Sequence, residues 1–210
     1  LGPIKKMNVH VEGNIGAGKS TFLNFVNDNF ECNTSQEPVA EWMKLRDGDE
    51  NLLDKFYKDI DRWSFAFQMN CFISRTYQVD KLPTDTINFI ERSICSDRIF
   101  ADNCFESGLM TPIEMKIYVK WSEWLKEKLC RKIDAIIYLR SSPEVSYERI
   151  KKRSRKGEEL IPIEYLKDLH RLHDKWLENT DIKVYVIDAD TIDYDDPELL
   201  TFIQTNFFDN

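Results

Sequence analysis

No apolar run in this sequence is long enough to span a bilayer, so no transmembrane helix is expected within these 210 residues. Internal repeats, low-complexity tracts and Gly/Ser/Pro-rich linkers are also missing, which leaves nowhere to divide the 210 residues. One domain over residues 1–210 is expected, with at most a small lid. Cysteine usage excludes a disulfide scaffold. The five (Cys32, Cys71, Cys95, Cys104 and Cys130) make an odd count with no C-x-x-C pair. They read as free thiols of a reducing compartment, mostly buried as small apolar residues. Histidine is rare. His170 and His173 have no acidic or thiol partner in a metal-binding motif, so packing or surface roles are expected for both. Basic residues are in the minority: 29 Lys and Arg against 37 Asp and Glu give a net charge of −8. That balance argues against nucleic acid or an anionic membrane as the main partner. Leu1-Gly2-Pro3 lacks an initiator Met, and residues 1–6 are expected to be a cloning remnant, a flexible N-terminus or the stub of a processed presequence. The expected compartment is the cytoplasm, or the mitochondrial matrix if a presequence was removed.

What the sequence does contain begins with Gly13-Asn14-Ile15-Gly16-Ala17-Gly18-Lys19-Ser20, directly after the apolar run Met7 to Val11. The spacing is that of a phosphate-binding loop, G-x-x-x-x-G-K-[ST], whose glycines let backbone N–H groups turn inward around a triphosphate. Lys19 can reach the outer phosphates, and the Ser20 hydroxyl can ligate Mg²⁺. Thr21 continues into a helix whose N-terminus adds its own partial positive charge. A strand-like run before the loop and a helix-like run after it set it apart from a chance Gly-rich turn. A nucleoside triphosphate with Mg²⁺ is the expected ligand.

Apolar patterning predicts strands at Met7 to Glu12, Thr86 to Ile90, Asp134 to Leu139 and Ile182 to Ile187, with a weak, polar edge strand at Cys32 to Gln36. Helical patterns fill the gaps. The alternating order predicts an α/β fold: a five-stranded parallel sheet with helices on both faces. Thr111-Pro112-Ile113-Glu114 is a capping box opening a helix to Leu129. Its expected stripe is Ile117, Trp121, Trp124 and Leu125, with further apolar surface at Met115, Tyr118 and Val119. Trp63 to Ile73 is likewise apolar beyond one face. A symmetric homodimer through these helices is the expected use of the surplus.

In such sheets ligands sit beyond the carboxyl ends of the strands. The phosphate loop, Glu37, Glu91-Arg92 and Asp188-Ala189-Asp190 all fall there. Further segments in chain order are Glu37-Pro38-Val39 with Trp42, Arg62-Trp63-Ser64-Phe65-Ala66-Phe67-Gln68, Glu91-Arg92-Ser93 and Tyr138-Leu139-Arg140. Tyr147-Glu148-Arg149-Ile150, Arg153-Ser154-Arg155 and Ile161-Pro162-Ile163-Glu164-Tyr165-Leu166 follow. Together they resemble the deoxynucleoside kinases related to deoxycytidine, deoxyguanosine and mitochondrial thymidine kinases, over nearly the whole chain.

That resemblance implies a P-loop kinase fold, ATP as phosphate donor and a deoxynucleoside as acceptor. It implies Glu37 as general base toward the 5′-hydroxyl, Arg92 beside it, and Glu91 with Ser20 on Mg²⁺. Gln68 would read the base edge while Phe67 and Phe100 flank the ring. Val39, Trp42, Leu53 and Phe56 would complete the acceptor pocket. Tyr57 and Glu158 would hold the sugar 3′-hydroxyl, with Glu159 the adjacent alternative. Arg149, Arg153 and Arg155 would belong to an arginine-rich lid over 149–161, closing on the phosphates. Asp188, Ala189 and Asp190 would meet the adenine. Arg75 and Asp97 match the relatives that take deoxycytidine and purine deoxynucleosides, so these are expected over thymidine. Asp97-Arg98-Ile99-Phe100 looks one residue shorter than its relatives. The rival readings are a nucleoside monophosphate kinase, which would need cations where Glu37 and Glu158 stand, and a catalytically silent nucleotide-binding module. A GTPase lacks its N-K-x-D element here.

Overall fold

The computed structural model describes residues 5–209, Glu159 by its backbone alone. Leu1-Gly2-Pro3 and the side chain of Glu159 therefore lie outside the described residues. The chain runs β1 (Met7–Glu12), α1 (Lys19–Asn29), β2 (Asn33–Ser35), α2 (Val39–Lys44), then a hairpin of β3 (Arg46–Asp47) and β4 (Glu50–Asn51). It continues through α3 (Leu52–Lys58), α4 (Ile60–Asp80), β5 (Ile87–Glu91), α5 (Ile94–Glu106) and α6 (Pro112–Leu129). The last elements are β6 (Ala135–Arg140), α7 (Pro143–Arg153), α8 (Ile163–Glu178), β7 (Val184–Asp188) and α9 (Pro197–Ile203).

Five strands form one parallel sheet in the order β2-β5-β1-β6-β7. The polar strand Asn33–Ser35 stands at an edge, where unpaired backbone can meet water. The hairpin of β3 and β4 is an addition to the expected sheet. Alternation along β1 divides the layers. Val9 and Val11 join Phe22, Leu23 and Phe207 in a core on one face of the sheet, while His10 and Glu12 point to the other. No helix among the described residues is long and apolar enough to cross a membrane.

Met115, Tyr118 and Ser122 are the buried side of α6, with the Tyr118 ring edge-on to Phe72 of α4 at 5.0 Å. Ile117, Trp121 and Trp124 of the expected stripe are exposed. Leu125 is half-buried against the same core. The small Ser122 takes a place on the buried side, and the two indoles stand on the exposed flank.

Candidate active site

Strand ends and the loops after them assemble a cavity of about 310 Å³. Its phosphate end is the turn after β1. Gly18 caps α1 at φ +93°, and Gly16 (φ +76°) leaves no room for a side chain, because a Cβ there would sit 2.6 Å from the Ser146 carbonyl. Asn14 anchors the turn: Nδ2 donates to the Leu166 carbonyl on α8 at 2.8 Å, and Oδ1 accepts from the Ile15 N–H at 2.8 Å. Lys19 lies back along the loop, donating to the carbonyls of Asn14 at 2.7 Å and Gly13 at 3.2 Å. Burial, with the nearby Arg92 charge, lowers its pKa to about 7. Ile15, Gly16, Lys19 and Ser20 line the cavity, whereas Gly13, Asn14, Ala17, Gly18 and Thr21 form the loop and helix start behind it.

The other end is built on acids tied to arginines. Glu37, directly after β2, places Oε1 at 2.9 Å from Arg75 Nη2 and 3.5 Å from Arg92 Nε. Burial alone would raise the Glu37 pKa, but the charges of Arg92, Arg75 and Lys19 outweigh it and hold the group at about 2. Arg75 also grips Asp97 through Nε at 2.8 Å and Nη2 at 3.1 Å, and donates from Nη1 to the Glu91 carbonyl at 2.9 Å. Asp97 lines the cavity; Arg75 lies beneath it. Glu91 lines the cavity with Ser20, and its Oε2 accepts the Glu37 N–H at 2.9 Å. These oxygens are hard donors of the kind Mg²⁺ takes.

Arg92 has a left-handed backbone, φ +62°. Its Nη1 donates to the Gly13 carbonyl at 3.0 Å, and its guanidinium covers the Phe100 ring at 4.6 Å. Phe67, Gln68, Phe100, Val39, Trp42, Leu53 and Tyr57 all line the cavity. Phe56 does not; its ring stacks behind Phe67 at 4.3 Å and so backs that wall. Gln68 is buried, its Nε2 3.7 Å from Cys104 Sγ.

Glu158, buried in the cavity lining, is gripped by two arginines. Its Oε2 accepts from Arg153 at 2.6 and 3.0 Å, and its Oε1 from Arg155 at 3.1 Å. All three residues line the cavity. Arg149 sits apart, donating to the Ala189 carbonyl at 2.7 Å and reaching the Ala17 carbonyl at 3.4 Å. It thereby joins the phosphate loop to the loop after β7. There Asp190 accepts from the Ser141 hydroxyl and the Ser142 N–H, both at 2.9 Å, while Asp188 accepts from the Asp190 N–H at 3.0 Å. Asp188, Ala189 and Asp190 lie outside the cavity itself.

Several residues of the site carry no signal in the sequence. Gln36, Ala40 and Cys71 line the cavity, and only the neighbours of Glu37 could have been guessed from position. Glu12, fully buried, accepts from Ser93 Oγ at 2.6 Å, while its Oε2 has no partner among the described residues. Burial raises its pKa to about 7. His10 donates from Nδ1 to the Arg92 carbonyl, 2.7 Å away, and burial lowers its pKa to about 4. A neutral ring facing a carbonyl must carry its proton on Nδ1.

A family model described as deoxynucleoside kinase matches residues 9–204. A probable deoxycytidine kinase of Fowlpox virus (strain NVSL) is 40% identical over 209 residues, covering 96% of this chain and 86% of its own. Mouse deoxycytidine kinase is 38% identical over 204 residues, 86% of this chain and 78% of its own. Human mitochondrial thymidine kinase 2 is 36% identical over 174 residues, 82% of this chain and 65% of its own length.

Proposed function

We propose, from the premise that the chain belongs to the deoxynucleoside kinase family, that it transfers the γ-phosphoryl group of ATP to the 5′-hydroxyl of a deoxynucleoside. One observation carries this reading: Glu37, held ionised by Arg75 and Arg92, shares a cavity wall with Lys19 and the glycine turn.

The chemistry follows from where charge develops. The 5′-oxygen forms a bond to Pγ as the bond from Pγ to the bridging oxygen of the leaving ADP breaks. The hydroxyl proton passes to the Glu37 carboxylate. A carboxylate with so low a pKa is a weak base. In a loose phosphoryl transfer the alcohol keeps its proton until late, so Glu37 acts first by orienting the hydroxyl. Lys19, Arg153 and Arg155 stabilise the negative charge on the transferring group. Mg²⁺ would be held by Ser20 and Glu91 and would neutralise charge on the donor phosphates.

Tyr57 and Glu158 hold the sugar 3′-hydroxyl in this account. A hydroxyl that takes Glu158 loosens its grip on Arg153 and Arg155, and the segment 149–161 then closes over the phosphates as a lid. Gln68 meets the base edge, Phe67 and Phe100 its faces. Asp97, fixed by Arg75, narrows the far end and favours amino-bearing bases, hence deoxycytidine and purine deoxynucleosides over thymidine. The loop 188–190 meets the adenine of ATP. The exposed Ile117, Trp121 and Trp124 of α6, together with the exposed Ile73 and Tyr77 of α4, are where a second copy would pack to form a homodimer.

The test is turnover with ATP and Mg²⁺ on each of the four natural deoxynucleosides and their monophosphates. Phosphorylation of the nucleosides, led by deoxycytidine or a purine, is expected. Activity confined to the monophosphates would overturn the reading.

A further inference from the structure

A second cavity, about 570 Å³, lies across α4, α5, α6 and the end of α8, on the same face of the sheet as His10. That volume is within the ordinary range for small-molecule sites. Val79, Ile94, Leu129, Ile133 and Trp176 give it apolar walls. Its floor is polar. His10 lines it, is 5% exposed, and has no partner for Nε2 among the described residues. Since Nδ1 carries the proton toward the Arg92 carbonyl, Nε2 is a bare acceptor. Arg75 lines the same floor. Its four hydrogen bonds to Asp97, Glu37 and the Glu91 carbonyl leave one Nη1–H without a partner among the described residues. At the rim stands the exposed ammonium of Lys126.

An unmet acceptor and an unmet donor on two residues lining one cavity under apolar walls form a built site, because each costs free energy until it is paired. A metal is not the match: the described residues hold no group of three or more His, Cys, Asp or Glu able to bind one. A hydroxyl satisfies both polar atoms at once, donating to His10 and accepting from Arg75. An apolar ring fills the walls, and an anionic end reaches Lys126. We infer that this cavity is a second binding site, for a small aromatic hydroxy acid whose hydroxyl pairs with His10 Nε2 and Arg75 and whose carboxylate faces Lys126. Its floor touches the backs of Arg92 and Glu37 through His10 and Arg75, so the site adjoins the catalytic groups without sharing their cavity. The inference stands apart from the kinase reading, and its test needs no turnover.

The experiment titrates the full chain with 3-(4-hydroxyphenyl)propionate, its 4-methoxy analogue and 3-phenylpropionate, by calorimetry and by long-range ¹⁵N spectra of the histidines. The hydroxy acid is expected to bind with a Kd of about 1 mM or tighter. The methoxy and unsubstituted probes, which cannot donate to His10, are expected to bind about ten-fold more weakly. Lys126→Ala, on the surface, should weaken all three by about three-fold. The Nε2 resonance of His10 should move only with the hydroxy acid. His10→Phe should erase the preference among probes, and the comparison in the native chain stands if that variant does not fold. Absence of saturable binding at about 20 mM, far above the affinity such a site should show, would overturn the inference. So would equal binding of the three probes, or an unmoved Nε2 resonance at saturation.

Discussion

Arg75 Nη2 lies 2.9 Å from Glu37 Oε1 and 3.1 Å from Asp97 Oδ1, so a single nitrogen joins two acids that line the same cavity. Burial would lower the guanidinium pKa, but Asp97 and Glu37 outweigh it and hold Arg75 well above its usual value. Arg75→Met should therefore act twice. Asp97 is left buried and unpaired, at a cost of about 3 kcal/mol of stability, and turnover falls on every nucleoside because Glu37 loses its clamp. Adding Asp97→Ala should recover most of the stability and raise thymidine activity relative to deoxycytidine. Chemical denaturation and the ratio of kcat/KM values measure the two effects. An unchanged ratio in the double variant would refute the account of base choice.

Lys19 offers a proton count. Its pKa of about 7 reflects burial first and the Arg92 charge second. A triphosphate beside it supplies negative charge and raises that pKa, so binding takes up a proton near and above neutrality. Calorimetry at pH 8 in buffers of differing ionisation enthalpy should show uptake of roughly 0.5–1 proton per ATP, absent in Lys19→Met. Equal proton counts for the two proteins would contradict this.

Glu12 sets a slope in stability with pH. Its folded pKa, raised by burial to about 7, exceeds the unfolded carboxyl value, so the folded state holds the proton more tightly. Stability from this group is complete below about pH 4.5 and is lost as pH rises through 7, by about 3 kcal/mol in total. Glu12→Gln keeps a neutral side chain throughout. Its stability relative to the native chain should rise between pH 5 and 8 in denaturant titrations (window of roughly three units). A constant difference would show that Glu12 is ionised in the fold.

Gly157 carries φ +89°, and a Cβ there would stand 2.4 Å from Tyr57 Cδ2. Gly157→Ala should push Tyr57 from its place beside Glu158 and lower kcat/KM for deoxynucleosides about ten-fold, with a smaller effect on 3′-deoxy analogues. Equal losses on both substrates would remove Tyr57 from the sugar site.

How much of this could be read from residues alone varies with the interaction. Ala135 to Leu139 is legible because a parallel strand covered on both faces must be apolar throughout, and the polarity of Asn33–Ser35 marks an edge. Strand ends are less so: Glu91, Arg140 and Asp188 extend their strands as polar residues beyond the apolar run. The α6 stripe misleads because Trp121 and Trp124 carry the hydrophobic weight while Ser122 takes the buried seat. The hairpin of β3 and β4, two residues a side, has no apolar alternation to announce it. The phosphate loop and Glu37 are local features beside strand ends. His10 and Glu12 owe their character to Arg92 and Ser93, about eighty residues away, so no local pattern reveals them.

Glu37→Gln, assayed for kcat with deoxycytidine and for ATP affinity in the same preparation, tests the central claim most directly. The amide keeps the shape of the site but cannot take the hydroxyl proton, so kcat should fall by about 100-fold or more while ATP affinity stays within about two-fold. Turnover near that of the native chain would contradict the role given to Glu37, and with it the proposed reaction.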